Sequence, residues 1–273
     1  MIRVQSIFPG IDHLTDGMGV CMTLLQGTER ALLFDTGYGT EDVRQAVAPL
    51  IHGKELTVLL SHGHHDHILG SRWFSRVFLA REDFPEYRLR TGLPQREKVA
   101  AQAAAKGVGL PADFLTAPCP GPEAFLLPDR TAGFPSRQLD LGGLDLLVIQ
   151  VPGHTPGSLM VYVEQRQLLL TADNWNPCTW LWFPSAVPAP VWRENMLKVL
   201  DALPVQQVLC SHHSALWDGE VPRRFIAGLT DSRLALAVPV SLDPSVDTRQ
   251  ASPDGEGMVF VFDYSKFRSC AGA

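Results

Sequence analysis

The sequence predicts an α/β fold, and three features support this prediction. Short apolar segments that end in glycine, serine or aspartate recur along the chain, as buried strands do. A segment with helical spacing, residues 40–52, separates two of them, so strand, helix and strand alternate. The runs LLFDTG (32–37) and LLLTAD (168–173) resemble each other. This similarity indicates two related halves, each presenting an aspartate at a strand end towards a shared seam.

The first part of the chain supplies an opening β-meander and a helix. Residues 2–8, 19–25 and 31–34 are predicted strands. The helix predicted over residues 40–52 starts with hydrogen-bond acceptors and negative charge and has an apolar face, formed by Val43, Ala46, Val47 and Leu50. Residues 56–60 then form a buried strand and residues 77–80 a short one.

Residues 81–138 are the least regular part of the chain. Residues 96–106 are alanine-rich and helical by propensity, whereas residues 118–135 are dense in proline and glycine without periodicity. We interpret residues 81–138 as an insertion over the mouth of an active site. Two interpretations stay open, a lid and a surface connection without contact to substrate.

Regular structure returns in the second half. The predicted strands are residues 144–151, 159–164, 167–171, 205–210 and 258–263, and the predicted helices are residues 192–203 and 220–236. Together with the first half, these elements give an α/β pattern throughout.

The composition fits one enzyme-sized domain. The chain has 273 residues, of which 45% are hydrophobic, enough for a sizeable core. The formal net charge of −6 and the scattered lysines and arginines give no basic patch. We therefore expect a small-molecule substrate and no nucleic-acid partner.

Cysteine spacing and hydropathy bear on the cellular location. The five cysteines are widely spaced and form no CxxC pair, which indicates reduced thiols and neither a disulfide framework nor a thiolate zinc site. No segment reaches the roughly 18 to 20 apolar residues of a membrane span, and the N-terminal residues have no long apolar stretch. We therefore expect a soluble, cytoplasmic protein without a membrane partner. Whether it forms a homo-oligomer stays open.

The most informative segment is LTVLLSHGHHDHILG, residues 56–70. Its apolar strand ends in four side chains that can bind a metal, namely His62, His64, Asp66 and His67. In an extended loop, residues two apart point the same way, so His62 and His64 can aim at one point. Asp66 and His67 fall at the start of a predicted helix and can face a second point. Burial of these groups without such a role would be unfavourable, so the spacing predicts two neighbouring metals.

This motif, His62-x-His64-x-Asp66-His67 after an apolar strand, resembles the signature of the metallo-β-lactamase superfamily of hydrolases. The resemblance implies one domain over residues 1–273 with a four-layer αββα sandwich of two mixed β-sheets flanked by helices. The sequence FDTG matches the superfamily's first motif, which implies that Asp35 hydrogen-bonds near the metal histidines and orients them. On the residues alone, Asp35 is an aspartate that opens a glycine turn.

Three later strand ends complete the ligand set that the resemblance implies. The motif GHTPGS supplies His154, and Asp173 stands where dinuclear members carry a carboxylate that bridges both metals. After the strand at 205–210, His212 matches the last ligand, with the adjacent His213 as the alternative. One metal would then be held by His62, His64 and His154, and the other by Asp66, His67 and His212.

These ligands are nitrogen and hard oxygen, which suits two zinc ions and also iron or manganese. The resemblance implies a metal-bridged hydroxide, oriented by Asp66, that cleaves an ester, thioester or lactone of a small molecule. Aspartate at position 173, where antibiotic-hydrolysing members carry cysteine, points towards the glyoxalase II and lactonase-like branches. A phosphodiesterase and a mononuclear-iron sulfur dioxygenase are the alternatives.

An aromatic segment follows Asp173. Residues 174–192 hold four of the chain's six tryptophans. Trp175, Trp180 and Trp182 either line an apolar substrate wall beside the metals or pack the two halves together, and the sequence leaves both interpretations open.

Overall fold

The computed structural model describes residues 1–253 and 257–271. In chain order its strands are β1 (Arg3–Phe8), β2 (Ile11–Thr15), β3 (Cys21–Gln26), β4 (Arg30–Phe34), β5 (Glu55–Leu59), β6 (Phe78–Leu79), β7 (Glu123–Ala124), β8 (Asp129–Thr131), β9 (Phe134–Asp140), β10 (Asp145–Gln150), β11 (Leu159–Val163), β12 (Leu168–Leu170), β13 (Cys178–Leu181), β14 (Gln207–Cys210), β15 (His213–Asp218), β16 (Val238–Pro239), β17 (Thr248–Ala251) and β18 (Val259–Asp263).

The helices are α1 (Val43–Ile51), α2 (His65–Ile68), α3 (Phe84–Arg90), α4 (Leu93–Ala105), α5 (Ala189–Ala202), α6 (Glu220–Gly228), α7 (Asp231–Ala235) and α8 (Tyr264–Ala271). Short 3-10 turns occur at Leu69–Trp73, Arg81–Asp83 and Glu164–Arg166. Helix α1 begins three residues after the predicted start at residue 40, because the Asp42 side chain caps it by accepting a hydrogen bond from the backbone N–H of Gln45. The helix predicted over residues 220–236 is instead two helices, α6 and α7.

Two mixed sheets form the centre of the fold. The first has the order β1-β2-β3-β4-β5-β6-β7, in which β1 to β4 are an antiparallel meander and β4 to β7 are parallel. The second has the order β15-β14-β12-β11-β10-β9-β8 and is antiparallel except for the parallel pair β12 and β14. A smaller sheet, β13-β18-β17-β16, packs on the apolar core beside α5.

Side chains alternate between the two faces of each strand, and their contacts show how the layers of the fold are arranged. Leu32 of β4 and Val148 of β10 belong to one apolar cluster, so the two large sheets face each other across it. Leu33, one residue further along β4, packs with Val43 of α1 on the opposite face. On the outer face of the second sheet, Ile149 of β10 packs in the cluster that contains α5 and α6. The fold is therefore the four-layer αββα sandwich that the resemblance implied.

The two halves use the same contact at their strand ends. The backbone N–H of Asp35, directly after β4, donates to the carbonyl of Leu59 in the parallel neighbour β5. The N–H of Thr171, directly after β12, donates to the carbonyl of Leu209 in the parallel neighbour β14. This equivalence gives a structural basis for the similarity of LLFDTG and LLLTAD. Both strand ends lie at the same seam, where the functional loops emerge.

Residues 81–138 contribute to both sheets. They form α3 and α4, and then β7 at the edge of the first sheet and β8 and the start of β9 at the edge of the second. Strands β7 and β8 lacked a sequence signal because they are short, mostly exposed edge strands, whereas β9 pairs on both sides and is mostly half-buried. Among the described residues, no helix has the length and hydropathy needed to cross a bilayer.

Candidate metal centre

Three histidines from two strand ends form the first donor group. His62 and His64 follow β5, and His154 lies in the loop between β10 and β11. All three side chains are buried, and one nitrogen of each lies within 4.8 Å of the others. The Nδ1 atom of His64 is 2.8 Å from Nε2 of His154. The sequence predicted this grouping from its spacing and from the family resemblance.

The second donor group has two nitrogens and two oxygens. It combines Asp66, His67, Asp173 and His212. The Nε2 atom of His212 lies 3.0 Å from Oδ2 of Asp173 and 3.4 Å from Oδ2 of Asp66. The Nε2 atom of His67 lies 3.3 Å and 3.5 Å from the same two oxygens. Four ligand atoms therefore surround one point.

Asp173 lies between the two groups. Its Oδ2 atom is 3.7 Å from Nε2 of His154 and 4.0 Å from Nε2 of His62, besides its contacts with His67 and His212. One carboxylate oxygen therefore lies close to histidines of both groups. Asp173 is therefore the residue that connects the two donor groups.

Two observations show that the donor atoms fit a metal ion: their separations, and the buried nitrogen and oxygen atoms that have no hydrogen-bond partner among the described residues. Zinc bonds of about 2.1 Å in a tetrahedron place ligand atoms roughly 3.4 Å apart, close to the separations in the second group. Nε2 of His62, Nε2 of His67 and Oδ1 of Asp173 are buried without a hydrogen-bond partner among the described residues. Buried polar atoms normally have partners, so these atoms are arranged for a ligand from outside the chain.

Asp35 orients two of the histidines. It has the uncommon positive φ of 70°. Its carboxylate contacts residues 61–67, which we call the metal loop. One oxygen accepts from the backbone N–H of Ser61 at 2.7 Å, and the other lies 2.9 Å from Nδ1 of His67. That second oxygen also accepts from the Ser61 hydroxyl, which lies 2.9 Å from Nδ1 of His62. Asp35 thus fixes ring nitrogens that face away from the donor groups, leaving each Nε2 for a metal.

The acidic and basic side chains of the second donor group shift each other's pKa values. Burial alone would lower the pKa of His67, but the carboxylates of Asp173, Asp66 and Asp35 together hold it well above its usual value. Burial would raise the pKa of Asp173, yet His212 and His67 hold that pKa well below its usual value. The three carboxylates therefore favour the protonated form of the His67 ring. A metal bound here would replace that proton.

The first group differs, because it has no carboxylate of its own. Burial lowers the pKa of His62 well below its usual value, and the neighbouring histidines His67 and His64 lower it further. Burial and His64 lower the pKa of His154 to about 3. Neutral imidazoles are the form that binds a metal.

Asp83 joins the two loops of the first group. Its side chain is buried, and one oxygen accepts from the N–H of Gly63 at 2.8 Å and from the hydroxyl of Thr155 at 2.7 Å. The other oxygen accepts from the N–H of Gly157 at 2.7 Å. The carboxylate therefore ties the loop of His64 to the loop of His154.

Helix α3 contributes two further charged groups. Glu86 has Oε1 3.4 Å from Nε2 of His64, on the side of the ring away from the donor group. The same oxygen accepts from Nε of Arg90 at 2.7 Å. The contact with His64 and the hydrogen bond from Arg90 lower the pKa of the Glu86 carboxyl to about 2. Asp83, Glu86 and Arg90 were not predicted as site residues, because acidic residues on both sides of Pro85 are typical of a helix start and Arg90 has no distinguishing local pattern.

A cavity of about 450 Å³ opens above the donor atoms. His64, His154, Asp66, Asp173 and His212 form its floor, and the other lining residues are Tyr38, His65, Arg90, Gln102, Asn176, Cys178, Trp180 and Phe183. Residues of both donor groups are thus accessible to a small molecule from this side.

The tryptophans after Asp173 have different positions. Trp180 lines the cavity. Trp175 is fully buried, packs in the core beneath the site and lies edge-on to Trp217. Trp182 stacks on Phe183 and does not itself line the cavity. The aromatic wall therefore consists of Trp180 and Phe183, and Trp175 serves packing.

The two adjacent histidines after β14 also separate. His212 enters the second donor group. His213 begins β15, is exposed, and accepts a hydrogen bond from the backbone N–H of Ala215. The structure thus places His212, and not His213, beside the other donor atoms of the second group.

A protein-family model and a relative of known sequence match large parts of this chain. The model of the metallo-beta-lactamase superfamily matches residues 15–236. A protein of Aquifex aeolicus (strain VF5), described as uncharacterized, is 24% identical over 194 residues, which cover 70% of this chain and 82% of the relative.

Several solved structures share the fold. A metallo-beta-lactamase family protein of Thermus thermophilus has a TM-score of 0.54 at 22% identity, over 85% of this chain and 84% of that one. A metallo-beta-lactamase of Pontibacter korlensis has a TM-score of 0.55 at 16% identity, over 81% and 94%.

The stereoselective inverting sec-alkylsulfatase of a Pseudomonas species has a TM-score of 0.61 at 18% identity. The match covers 86% of this chain but only 42% of the sulfatase. The family match spans most of the chain and includes every residue of the two donor groups. The chain belongs to the metallo-beta-lactamase superfamily.

Proposed function

We propose that this protein is a dinuclear metal-dependent hydrolase that cleaves an ester, thioester or lactone of a small molecule. The observation that carries the proposal is the position of Asp173, whose Oδ2 atom lies between the two donor groups. Two separate metals would not need a shared carboxylate. The nitrogen and oxygen donors favour two zinc ions, with iron or manganese as other ions that the same atoms can bind.

The proposed roles follow from the contacts. His62, His64 and His154 would hold one ion, and Asp66, His67 and His212 the other. When bound, the two ions would supply Lewis-acid chemistry, lowering the pKa of a water molecule between them and offsetting negative charge that develops on the substrate. Asp66 would ligate and would also orient the attacking oxygen, because its side chain reaches the cavity floor. Asp35 would hold His62 and His67 in the required orientation.

The cavity supports a small substrate with an apolar part. Its volume of about 450 Å³ falls within the range of small-molecule sites. Trp180 and Phe183 offer an apolar wall next to the donor atoms. Arg90 and Gln102 line the same cavity, which supports our proposal that residues 81–138 cap the site within a single domain spanning residues 1–273. The five free thiols support a cytoplasmic location.

Metal content is the first test of this proposal. Protein purified without chelator or added metal should contain two divalent ions per chain by elemental analysis. A panel of aryl esters, thioesters, lactones and phosphodiesters should then show turnover of the carbonyl compounds that is lost on metal removal and restored by zinc. One iron per chain together with oxygen consumption would overturn the hydrolase in favour of a sulfur dioxygenase. Preferred turnover of phosphodiesters would overturn the substrate class.

A further inference from the structure

We infer that Arg90 binds an anionic group of the substrate, so the hydrolysed molecule carries a carboxylate or another oxyanion besides its scissile bond. This inference rests on the proposed function, because it assigns the substrate class of the same site. It concerns a residue in the α3 segment, which carries none of the proposed metal ligands.

Arg90 is the last residue of α3 and lines the cavity that also exposes His64, Asp66 and Asp173. Among the described residues that line this cavity, it is the sole lysine or arginine. Its side chain is 23% exposed, so the guanidinium lies partly buried at the mouth. A permanent positive charge therefore stands beside the reaction site, on a wall that is otherwise polar and neutral or aromatic.

Glu86 holds the guanidinium of Arg90 at one of its three nitrogens. Its Nε atom donates to Glu86 at 2.7 Å, which fixes the side chain through a contact within one helix. Within the described part of the chain, neither Nη nitrogen donates a hydrogen bond to protein. Two parallel N–H donors are therefore left for a ligand, and this fork matches the two oxygens of a carboxylate, sulfate or phosphate.

The guanidinium of Arg90 is held in place before any ligand binds. Glu86 contacts both Arg90 and the ring of His64. A single carboxylate thus sets the guanidinium relative to a proposed metal ligand. An arginine held in this way loses little conformational freedom when a ligand binds. Phe183 and Trp180 complete the cavity, so the preferred molecule has an apolar body between the scissile bond and the anion.

Two matched acetyl esters test the inference by activity. The probes are para-acetoxybenzoate, which is anionic, and para-acetoxybenzamide, which is neutral and has the same single ester bond. Wild-type protein should favour the anion by about 10- to 100-fold in kcat/KM, the range that a charge-assisted hydrogen-bond pair supplies. Arg90→Gln should reduce this ratio towards one, mainly through KM for the anion, and Arg90→Lys should restore part of it. Para-acetoxybenzenesulfonate distinguishes a site for sulfonates from one for carboxylates.

The control is Arg88→Gln, which removes an exposed arginine two residues earlier in α3. It should leave the preference for the anion unchanged. Elemental analysis must show equal metal content in all variants, because Glu86 also contacts His64. A preference that persists in Arg90→Gln, or no preference in the wild type, would overturn the inference.

A binding measurement separates this inference from the hydrolase proposal. Calorimetry with para-methoxybenzoate and the neutral para-methoxybenzamide requires no turnover. Tighter binding of the anion that is lost in Arg90→Gln, without hydrolysis of any ester, would retain the anion site and refute the hydrolase. Hydrolysis of both esters with equal efficiency in wild type and Arg90→Gln would retain the hydrolase and refute the anion site.

Discussion

Replacing Asp83 tests whether the carboxylate that joins two metal loops determines both stability and metal affinity. Its oxygens accept from the N–H groups of Gly63 and Gly157 and from the hydroxyl of Thr155, all at 2.7 to 2.8 Å. The side chain is 1% exposed, so water cannot replace it without local opening. Both loops carry proposed ligands of the first metal.

The expected cost follows from the number of donors left unpaired. Each buried donor without a partner costs about 1 to 3 kcal/mol, so Asp83→Ala should lower the free energy of unfolding by about 3 kcal/mol or more. Asp83→Asn can keep its oxygen towards Gly63 and Thr155. Its amide nitrogen then faces the N–H of Gly157, and this one lost acceptor should cost about 1 to 3 kcal/mol.

Urea unfolding of the metal-free variants gives the stability change, and chelator competition gives the metal affinity. We expect the affinity of the group formed by His62, His64 and His154 to fall, with a smaller effect on the other group. Glu82→Ala, at an exposed neighbouring position, is the control. If Asp83→Ala cost less than about 1 kcal/mol and left both metal affinities unchanged, the reasoning from unpaired donors would be refuted.

Three further predictions concern other parts of the molecule. Asp173→Ala removes the oxygen that both donor groups share, so elemental analysis should find fewer than two ions per chain, and unchanged occupancy would contradict a bridging role. Gly70→Ala would place a Cβ 1.9 Å from the carbonyl oxygen of Thr36 and should cost roughly 3 kcal/mol in urea unfolding. Gly109→Ala, where a Cβ meets nothing within 4 Å, should cost far less, and equal costs would argue against the clash. Burial lowers the pKa of His13 to about 4 from 6.5, so its contribution to stability is present above pH 6.5 and is lost as the pH falls to 4. Between pH 7 and 4, the metal-free wild type should therefore lose about 3 kcal/mol more than His13→Asn, whereas parallel pH profiles would refute this.

The metal loop could be predicted because its evidence is local. A span of six residues shortly after strand β5 contains His62, His64, Asp66 and His67. Their chemistry and their placement are therefore visible together in the sequence. The strands β4, β5, β10 and β14 were also predictable, since apolar runs followed by polar or glycine residues mark buried strand ends.

The supporting residues were not predictable, because their role depends on contacts between distant segments. Asp83 lies 20 residues from Gly63 and 72 from Thr155. As one of 29 acidic residues, it has no feature that separates it from a surface carboxylate. Glu86 and Arg90 have the i, i+4 spacing of an ordinary surface ion pair. Only the packing of their helix, α3, against the metal loop places them beside the cavity.

Trp175 shows the same limit for apolar residues. The sequence places it two residues after Asp173, as close as any aromatic side chain comes to the bridging position. Burial in the core takes its ring away from the cavity, whereas Trp180, further along the chain, reaches it. Adjacency in sequence could not decide which of the two faces the substrate.

The crowding of His62, His64, Asp66 and His67 into one short segment also affects the unfolded chain. These side chains remain neighbours when both sheets are lost, whereas His154, Asp173 and His212 separate from them. A denatured molecule can therefore retain a weak metal complex through this segment. Because ligands that bind the unfolded state offset the stabilisation they give to the folded one, added metal should stabilise the protein less than its affinity for the folded state alone would give. If the folded protein binds two ions, as we propose, and the unfolded segment binds one, metal still raises the melting temperature at high concentration, but with the concentration dependence of one ion instead of two.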